Sequence, residues 1–268
     1  MNRCVIFGNP IEHSQSPAIH HSFAKENGIE LDYQLVCAPL DDLEGTVREW
    51  QKRGIIGANV TVPFKEEVMQ LCDLLSVEAQ AAQAVNTLRF REGIIEGHNT
   101  DGIGLIADIT EKKGYQLKGK RVLLLGAGGA TRGVLRPLLA HAPSEVIISN
   151  RTHKRAEQLV KEFSPYGTLS AIEWGELSEP FDIIINATSA SLTGEFPALP
   201  EGVIASNTVG FDLVYADRPT VFMEYLTERG AKATHDGMGM LIEQAVYGFE
   251  FWFGIRPDSS SIYQMMRG

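Results

Sequence analysis

The sequence predicts an α/β protein of two domains, from three observations. Short apolar, β-branched runs alternate with longer amphipathic segments, which is the pattern of strands interleaved with helices. A chain of 268 residues reaches the size at which a single hydrophobic core gives way to two. A charged connector at residues 115–120 interrupts the pattern near the middle of the chain.

Residues 4–7 read as a strand and 17–27 as a helix closed by Gly28. Residues 33–37, 40–53 and 58–62 continue as strand, helix and strand. Residues 85–90 and 94–98, joined around Glu92-Gly93, predict a β-hairpin. A long helix over 102–113 precedes the connector, and the domain boundary is placed near it. Residues 122–125, 145–149, 168–172, 183–186 and 203–210 then read as strands between helical or loop segments. An apolar helix over 239–253 follows. No internal repeat or low-complexity tract is present.

The formal net charge of -10 argues against a nucleic-acid partner, which needs a basic face to release counterions from phosphates. It leaves an anionic small substrate open, because a few local cations decide that. Cys4, Cys37 and Cys72 are odd in number and lack metal-ligand spacing. They read as reduced, mostly buried thiols of a cytoplasmic protein, with no metal site. The first residues do not resemble a signal peptide, and no apolar run reaches the ~20 residues of a membrane span.

The segment Gly57-Ala58-Asn59-Val60-Thr61-Val62-Pro63-Phe64-Lys65 is the richest in chemistry. Strand alternation puts Asn59 and Thr61 on one face and Val60 and Val62 on the other. Pro63 has no N–H and should stop the strand. Residues 64–67 then read as a first helical turn, with Lys65 beside Asn59 and Thr61 at the strand mouth. An ordinary strand followed by an exposed helix lysine explains the segment equally well when it is taken alone.

The second half opens with residues 121–125 as a buried strand, then Gly126-Ala127-Gly128-Gly129-Ala130-Thr131 and a helix to about residue 140. Glycines at such a turn let backbone approach a pyrophosphate seated on the helix N-terminus. Thr131 stands where the dinucleotide fingerprint usually has Gly or Ala. A tight turn without ligand is the competing account. At the end of the next strand an NAD enzyme usually carries an acid for the ribose 2′-hydroxyl. This chain has Asn150-Arg151-Thr152, with Lys154 and Arg155 behind. Guanidinium groups suit a 2′-phosphate, so NADP is predicted over NAD. A solvated basic helix start would explain the charges but not the missing acid.

In the first half, Ser14-Gln15-Ser16-Pro17 places two hydroxyls near a helix start, with Pro17 at the first helical position and Ser16 as a natural N-cap. Ala84-Val85-Asn86-Thr87 and Asn99-Thr100-Asp101-Gly102 add amides and a carboxylate at element ends, where Asp101 also suits an N-cap. Gln244 lies in an otherwise apolar helix and needs a partner or a ligand.

Taken together, these blocks resemble the shikimate dehydrogenase family over essentially the full length. The matching blocks are residues 8–17, 59–65, 84–87, 99–102, 126–131, 150–152, Asn186-Ala-Thr-Ser189, and Asp236-Gly-Met-Gly-Met240 with Gln244. The resemblance implies a substrate domain of residues 1–103 plus 238–268 and an inserted Rossmann-type NADP domain of residues 104–237, with the active site in the cleft. It implies NADPH-dependent, reversible reduction of 3-dehydroshikimate to shikimate in aromatic amino-acid biosynthesis.

The catalytic pair it carries over is Lys65 and Asp101, an ammonium proton donor and the carboxylate that orients it. Ser14, Ser16, Asn59, Thr61, Lys65, Asn86, Asp101, Tyr215 and Gln244 would bind substrate, with Ser14 and Ser16 holding its carboxylate. Gly126, Ala127, Gly128, Gly129, Ala130, Asn150, Arg151, Thr152, Arg155, Thr188, Leu213 and Gly237 would bind NADP. A monomer or homodimer is expected. Ser191 stands where the family commonly has Gly, the proline after Tyr215 is displaced to Pro219, and Glu243 beside Gln244 should point away from an anionic ligand. A relative that also oxidises quinate and accepts NAD, and a redox-inactive NADP-binding sensor, remain as alternatives. Arg151 and Arg155 count against the first, and the intact Lys65 and Asp101 against the second.

Overall fold

The computed structural model describes residues Met1–Arg267. The chain divides into two compact units, one of Met1–Gly104 with residues 241 onward, the other of Leu105–Met240. The first unit runs β1 (Asn2–Gly8), α1 (Ser16–Glu26), β2 (Leu31–Cys37), α2 (Leu43–Lys52), β3 (Gly57–Val60), β4 (Leu74–Leu75), α3 (Val77–Ala82), β5 (Thr87–Arg91), β6 (Ile94–His98) and the start of α4 (Asp101–Ala107). Its six strands form a mixed sheet in the order β2-β1-β3-β5-β6-β4. β1 pairs in parallel with β2 and β3, whereas β3, β5 and β6 are antiparallel.

β1 is buried on both faces, which is why it reads as an unbroken apolar run. Val5 and Phe7 pack with Ala58, Val60, Phe64 and Leu88 on one side. Cys4 and Ile6 face the other, where Tyr33 and Trp252 meet them. In the hairpin, Arg91 pairs with Ile94, and Glu92 and Gly93 take φ of 53° and 85°. Two positive φ values in a two-residue loop are those of the type I′ turn that suits strand twist.

Several boundaries differ from expectation. β3 ends at Val60, so Val62 is 67% exposed and does not share Val60's buried face. Residues 62–66 form a turn and Glu67–Leu71 a 3₁₀ helix, so Lys65 lies in a turn and not on an α-helix. The Lys65 carbonyl is taken by Val85 N at 2.7 Å, which removes it from any helical ladder. α2 starts three residues later than predicted, because Asp42 caps it by accepting from Gly45 N. The long helix over 102–113 is α4 followed by a π-helical turn, Asp108–Lys112, closed by Lys113 N to Asp108 O. Of the cysteines, all free, Cys4 is buried, Cys72 is half-buried and Cys37 is exposed; the expectation of mostly buried thiols holds for Cys4 alone.

The second unit runs β7 (Arg121–Leu125), α5 (Gly129–Ala140), β8 (Glu145–Ser149), α6 (His153–Phe163), β9 (Leu169–Ala171), β10 (Ile183–Asn186), α7 (Ala190–Thr193), β11 (Val209–Asp212), α8 (Val221–Glu228) and β12 (Ala233–His235). Its six strands are all parallel in the order β12-β11-β10-β7-β8-β9, the doubly-wound arrangement. The strand predicted over 203–210 begins only at Val209, because Thr208 closes a turn onto Ala205. α9 (Met238–Phe253) and α10 (Ser260–Arg267) complete the chain. No helix among the described residues is long and apolar enough to cross a membrane.

His20 sits in the first unit's aromatic cluster, stacked on Tyr33 at 4.9 Å and against Trp252. Neither ring nitrogen makes a well-formed hydrogen bond among the described residues. Burial pulls its pKa down to about 3 from the ordinary 6.5. Between those values the unfolded chain binds a proton that the folded one refuses. Stability is therefore retained above pH 6.5 and falls by up to about 1.4 kcal/mol per pH unit below it. Urea denaturation at pH 7.5 and 5 should show this loss, and His20→Phe should remove much of it; an unchanged slope in that variant would contradict the assignment.

Candidate active site

Lys65 Nζ donates to Asp101 Oδ2 at 2.7 Å. Both side chains are partly open to solvent, at 31% and 22%. The other carboxylate oxygen, Oδ1, accepts from Asn86 Nδ2 at 2.9 Å. Asn86 is itself fixed: its Oδ1 accepts Thr100 N at 2.9 Å and Thr87 Oγ1 at 3.0 Å. An amide oxygen held by a backbone N–H leaves the amide only one orientation, so its Nδ2 must face Asp101. Asp101 is the first residue of α4, where an N-cap was expected; its carboxylate serves Lys65 and Asn86. Its backbone N–H is taken by Asn99 Oδ1.

Gln244 on α9 joins the same cluster. Its Oε1 accepts from Thr100 Oγ1 at 3.3 Å and Asn86 Nδ2 at 3.4 Å, and its Nε2 donates to Leu241 O. Close approach of α4 permits this, since a Cβ added at Gly104 would lie 2.5 Å from Gln244 N. Asn59 is buried and its amide is engaged within the protein. Tyr33 Oη donates to its Oδ1 at 2.7 Å, and its Nδ2 donates to Asn86 O and Thr87 Oγ1. Thr61 is half-buried just past β3, held by Thr61 N to Phe7 O.

Ser16 does not cap α1 as expected. Ser14 Oγ accepts from Ser16 N at 3.3 Å, whereas Ser16, the first residue of α1, is buried and makes no cap bond. Glu243 is buried, and its carboxylate accepts from Ser259 Oγ at 2.6 Å.

In the second unit the Gly-rich turn emerges between β7 and α5, where strand order reverses between β7 and β10. Such a switch point is where doubly-wound sheets take ligands. The first helical bond of α5 is Arg132 N to Gly128 O, which leaves the N–H groups of Gly129, Ala130 and Thr131 outside the helical ladder. A Cβ at Gly128 or Gly129 would meet no protein atom within 4 Å, so packing does not demand glycine there. The open space beside three N–H groups outside the ladder suits a dinucleotide pyrophosphate. Ala127 is half-buried inside this turn. Thr131, the departure from the fingerprint, is fully buried and ties the helix to the turn through Oγ1 to Gly126 O at 2.9 Å.

After β8, Asn150 Nδ2 bonds Thr152 O, and Arg151, Thr152 and Arg155 are exposed around the start of α6. Thr188 follows β10, with its Oγ1 on Asn186 Oδ1 at 2.6 Å. Leu213 and Gly237 meet backbone to backbone, since a Cβ at Gly237 would lie 2.3 Å from Leu213 O. Tyr215 belongs to this second unit and is exposed.

Three family descriptions match along the chain. They are the shikimate dehydrogenase substrate binding domain at residues 6–88, shikimate / quinate 5-dehydrogenase at 108–193, and the shikimate 5'-dehydrogenase C-terminal domain at 237–267. A shikimate dehydrogenase (NADP(+)) of Alkalilimnicola ehrlichii is 47% identical, over 99% of this chain and 98% of its own. The chain belongs to the shikimate dehydrogenase family. Among solved structures, an Ael1 enzyme from Pseudomonas putida superposes with a TM-score of 0.95 at 41% identity, covering 99% of this chain and 98% of its own. Shikimate 5-dehydrogenase from Thermus thermophilus, in complex with NADP(H) and shikimate, gives 0.86 at 33% identity, covering 100% and 99%.

Thr87 and Thr100 are the residues of the cluster that sequence reasoning passed over. Both lie inside quoted blocks and are fully buried, yet a threonine in a polar run carries no sign that its hydroxyl faces inward. Gly104 is testable in this dehydrogenase. Gly104→Ala should cost about 1–3 kcal/mol of stability through overpacking and raise the KM for shikimate by displacing Gln244. Wild-type denaturation and KM in that variant would contradict the close approach.

Proposed function

We infer that this protein is an NADP-dependent oxidoreductase that reversibly reduces 3-dehydroshikimate to shikimate, a step of aromatic biosynthesis. The observation that carries the reading is the Lys65–Asp101 pair, locked by Asn86 at the edge of a polar cluster. Reduction of a ketone places negative charge on its oxygen, and the new hydroxyl needs a proton. The Lys65 ammonium supplies both stabilising charge and proton. Asp101 holds that ammonium in place for the transfer. In the reverse direction neutral Lys65 accepts the hydroxyl proton. NADPH, when bound, supplies the hydride.

We assign substrate and catalysis to a domain of residues 1–103 plus 238–268 and NADP to a domain of residues 104–237, bounds that lie within three residues of the two compact units. Ser14, Ser16, Thr61, Asn86 and Gln244 hold the substrate's hydroxyls and carboxylate, joined by Tyr215. Asn59, with its amide engaged by Tyr33, Thr87 and Asn86, supports that surface from behind. Gly126, Ala127, Gly128, Gly129 and Ala130 cradle the pyrophosphate, and Asn150, Arg151, Thr152 and Arg155 take the 2′-phosphate. Thr188, Leu213 and Gly237 line the remainder of the dinucleotide. The protein acts on its small substrate in the cytoplasm as a monomer or homodimer, without a nucleic-acid partner.

Lys65→Ala should lower kcat by about 10²–10⁴-fold while the fold and NADPH binding persist. Near-normal turnover in that variant would sink the mechanism. Arg151→Ala should raise the KM for NADPH by about 10–100-fold, the loss of a charge-assisted bond, and leave NADH nearly unaffected. An equal loss for both cofactors, measured side by side, would refute the phosphate clamp.

A further inference from the structure

Asp212 closes β11 with a buried carboxylate whose oxygens are fully subscribed. Oδ1 accepts Val214 N at 3.1 Å and Asn186 Nδ2 at 3.2 Å. Oδ2 accepts Thr220 Oγ1 at 2.6 Å and Ser191 Oγ. A carboxylate offers about four lone-pair sites, and all are used. Three of the donors sit on well-anchored backbone: Asn186 ends β10, Val214 follows β11, and Thr220 caps α8. Ser191 alone stands on α7, a helix of four residues that buries no side chain. So short a helix does not hold itself, and its Leu192 is 72% exposed.

The segment between these anchors carries Thr188. At its start, Asn186 Oδ1 accepts both Thr188 N and Thr188 Oγ1, and Thr188 Oγ1 in turn accepts Ala190 N. At its end, Ser191 is tied to Asp212, and Asn186 Nδ2 also reaches Ser191 Oγ at 3.4 Å. We propose that Ser191 is a positioning residue for the dinucleotide: its hydroxyl latches α7 to Asp212 and so holds residues 187–190 ready for NADP(H). The proposal rests on the assignment of Thr188 to the cofactor.

Removing the latch leaves the loop to be ordered by the ligand, which lowers affinity by about three- to tenfold. The experiment compares Ser191→Ala and Ser191→Thr in the full chain. NADPH dissociation constants are read by fluorescence titration, and amide hydrogen exchange over residues 187–194 is read without cofactor. Ser191→Ala should speed exchange over that segment and weaken NADPH, and Ser191→Thr, which keeps the hydroxyl, should restore both. Unchanged exchange or unchanged affinity in Ser191→Ala would overturn the latch. Thr188→Ala separates the two levels of the argument, since unaltered NADPH binding there would remove the cofactor role of this loop, and the proposal with it.

Discussion

A carboxylate whose two oxygens are committed to different partners cannot turn away from either, and that constraint underlies the polar cluster of the first unit. Asp101 gives Oδ2 to Lys65 and Oδ1 to Asn86. Asn86 is fixed by the backbone N–H of Thr100 and the hydroxyl of Thr87, and Gln244 leans on the same Thr100. Elements distant in sequence thus converge on one ion pair: the turn after β3, the start of β5, the start of α4 and the middle of α9. Each buried polar group in the cluster has a partner, as a network in low dielectric requires if it is to rigidify rather than weaken the core. A lysine on a flexible four-carbon stem is held in one direction only through such support.

The second unit solves a related problem differently. Its sheet presents loop ends at the reversal between β7 and β10, and the first of them opens on Gly128 and Gly129 with free space beside both. Thr131 shows how a departure from the dinucleotide fingerprint is accommodated. Its hydroxyl binds the Gly126 carbonyl and closes the turn from within. Asp212 performs for the loops after β10 and β11 what Asn86 performs for Asp101, gathering several donors on one buried group.

Much of this was legible in the sequence because the chemistry and the punctuation coincide there. Glu92-Gly93 announced its hairpin, since both residues take the positive φ that the turn demands. The strand–turn–helix placement of the Gly-rich turn and of the basic run after β8 was likewise legible in residue type. What escaped was set by long-range bonds. The Lys65 turn read as a helix start because nothing local reveals that Val85 N claims its carbonyl. Ser16 failed as a cap because α1 begins on it and its own N–H goes to the Ser14 hydroxyl. Asn59 gave no local sign that Tyr33 would occupy its oxygen. The π-helical turn at Asp108–Lys112 follows from one i→i+5 bond that periodicity cannot register.

The central claim is a directed proton donor serving a nicotinamide reaction on a small polyhydroxy acid. It is tested most directly by the wild-type protein's reduction of NADP and NAD, with shikimate and quinate offered separately. The account predicts turnover confined largely to shikimate with NADP. Bound cofactor with no turnover in any of the four combinations would contradict it.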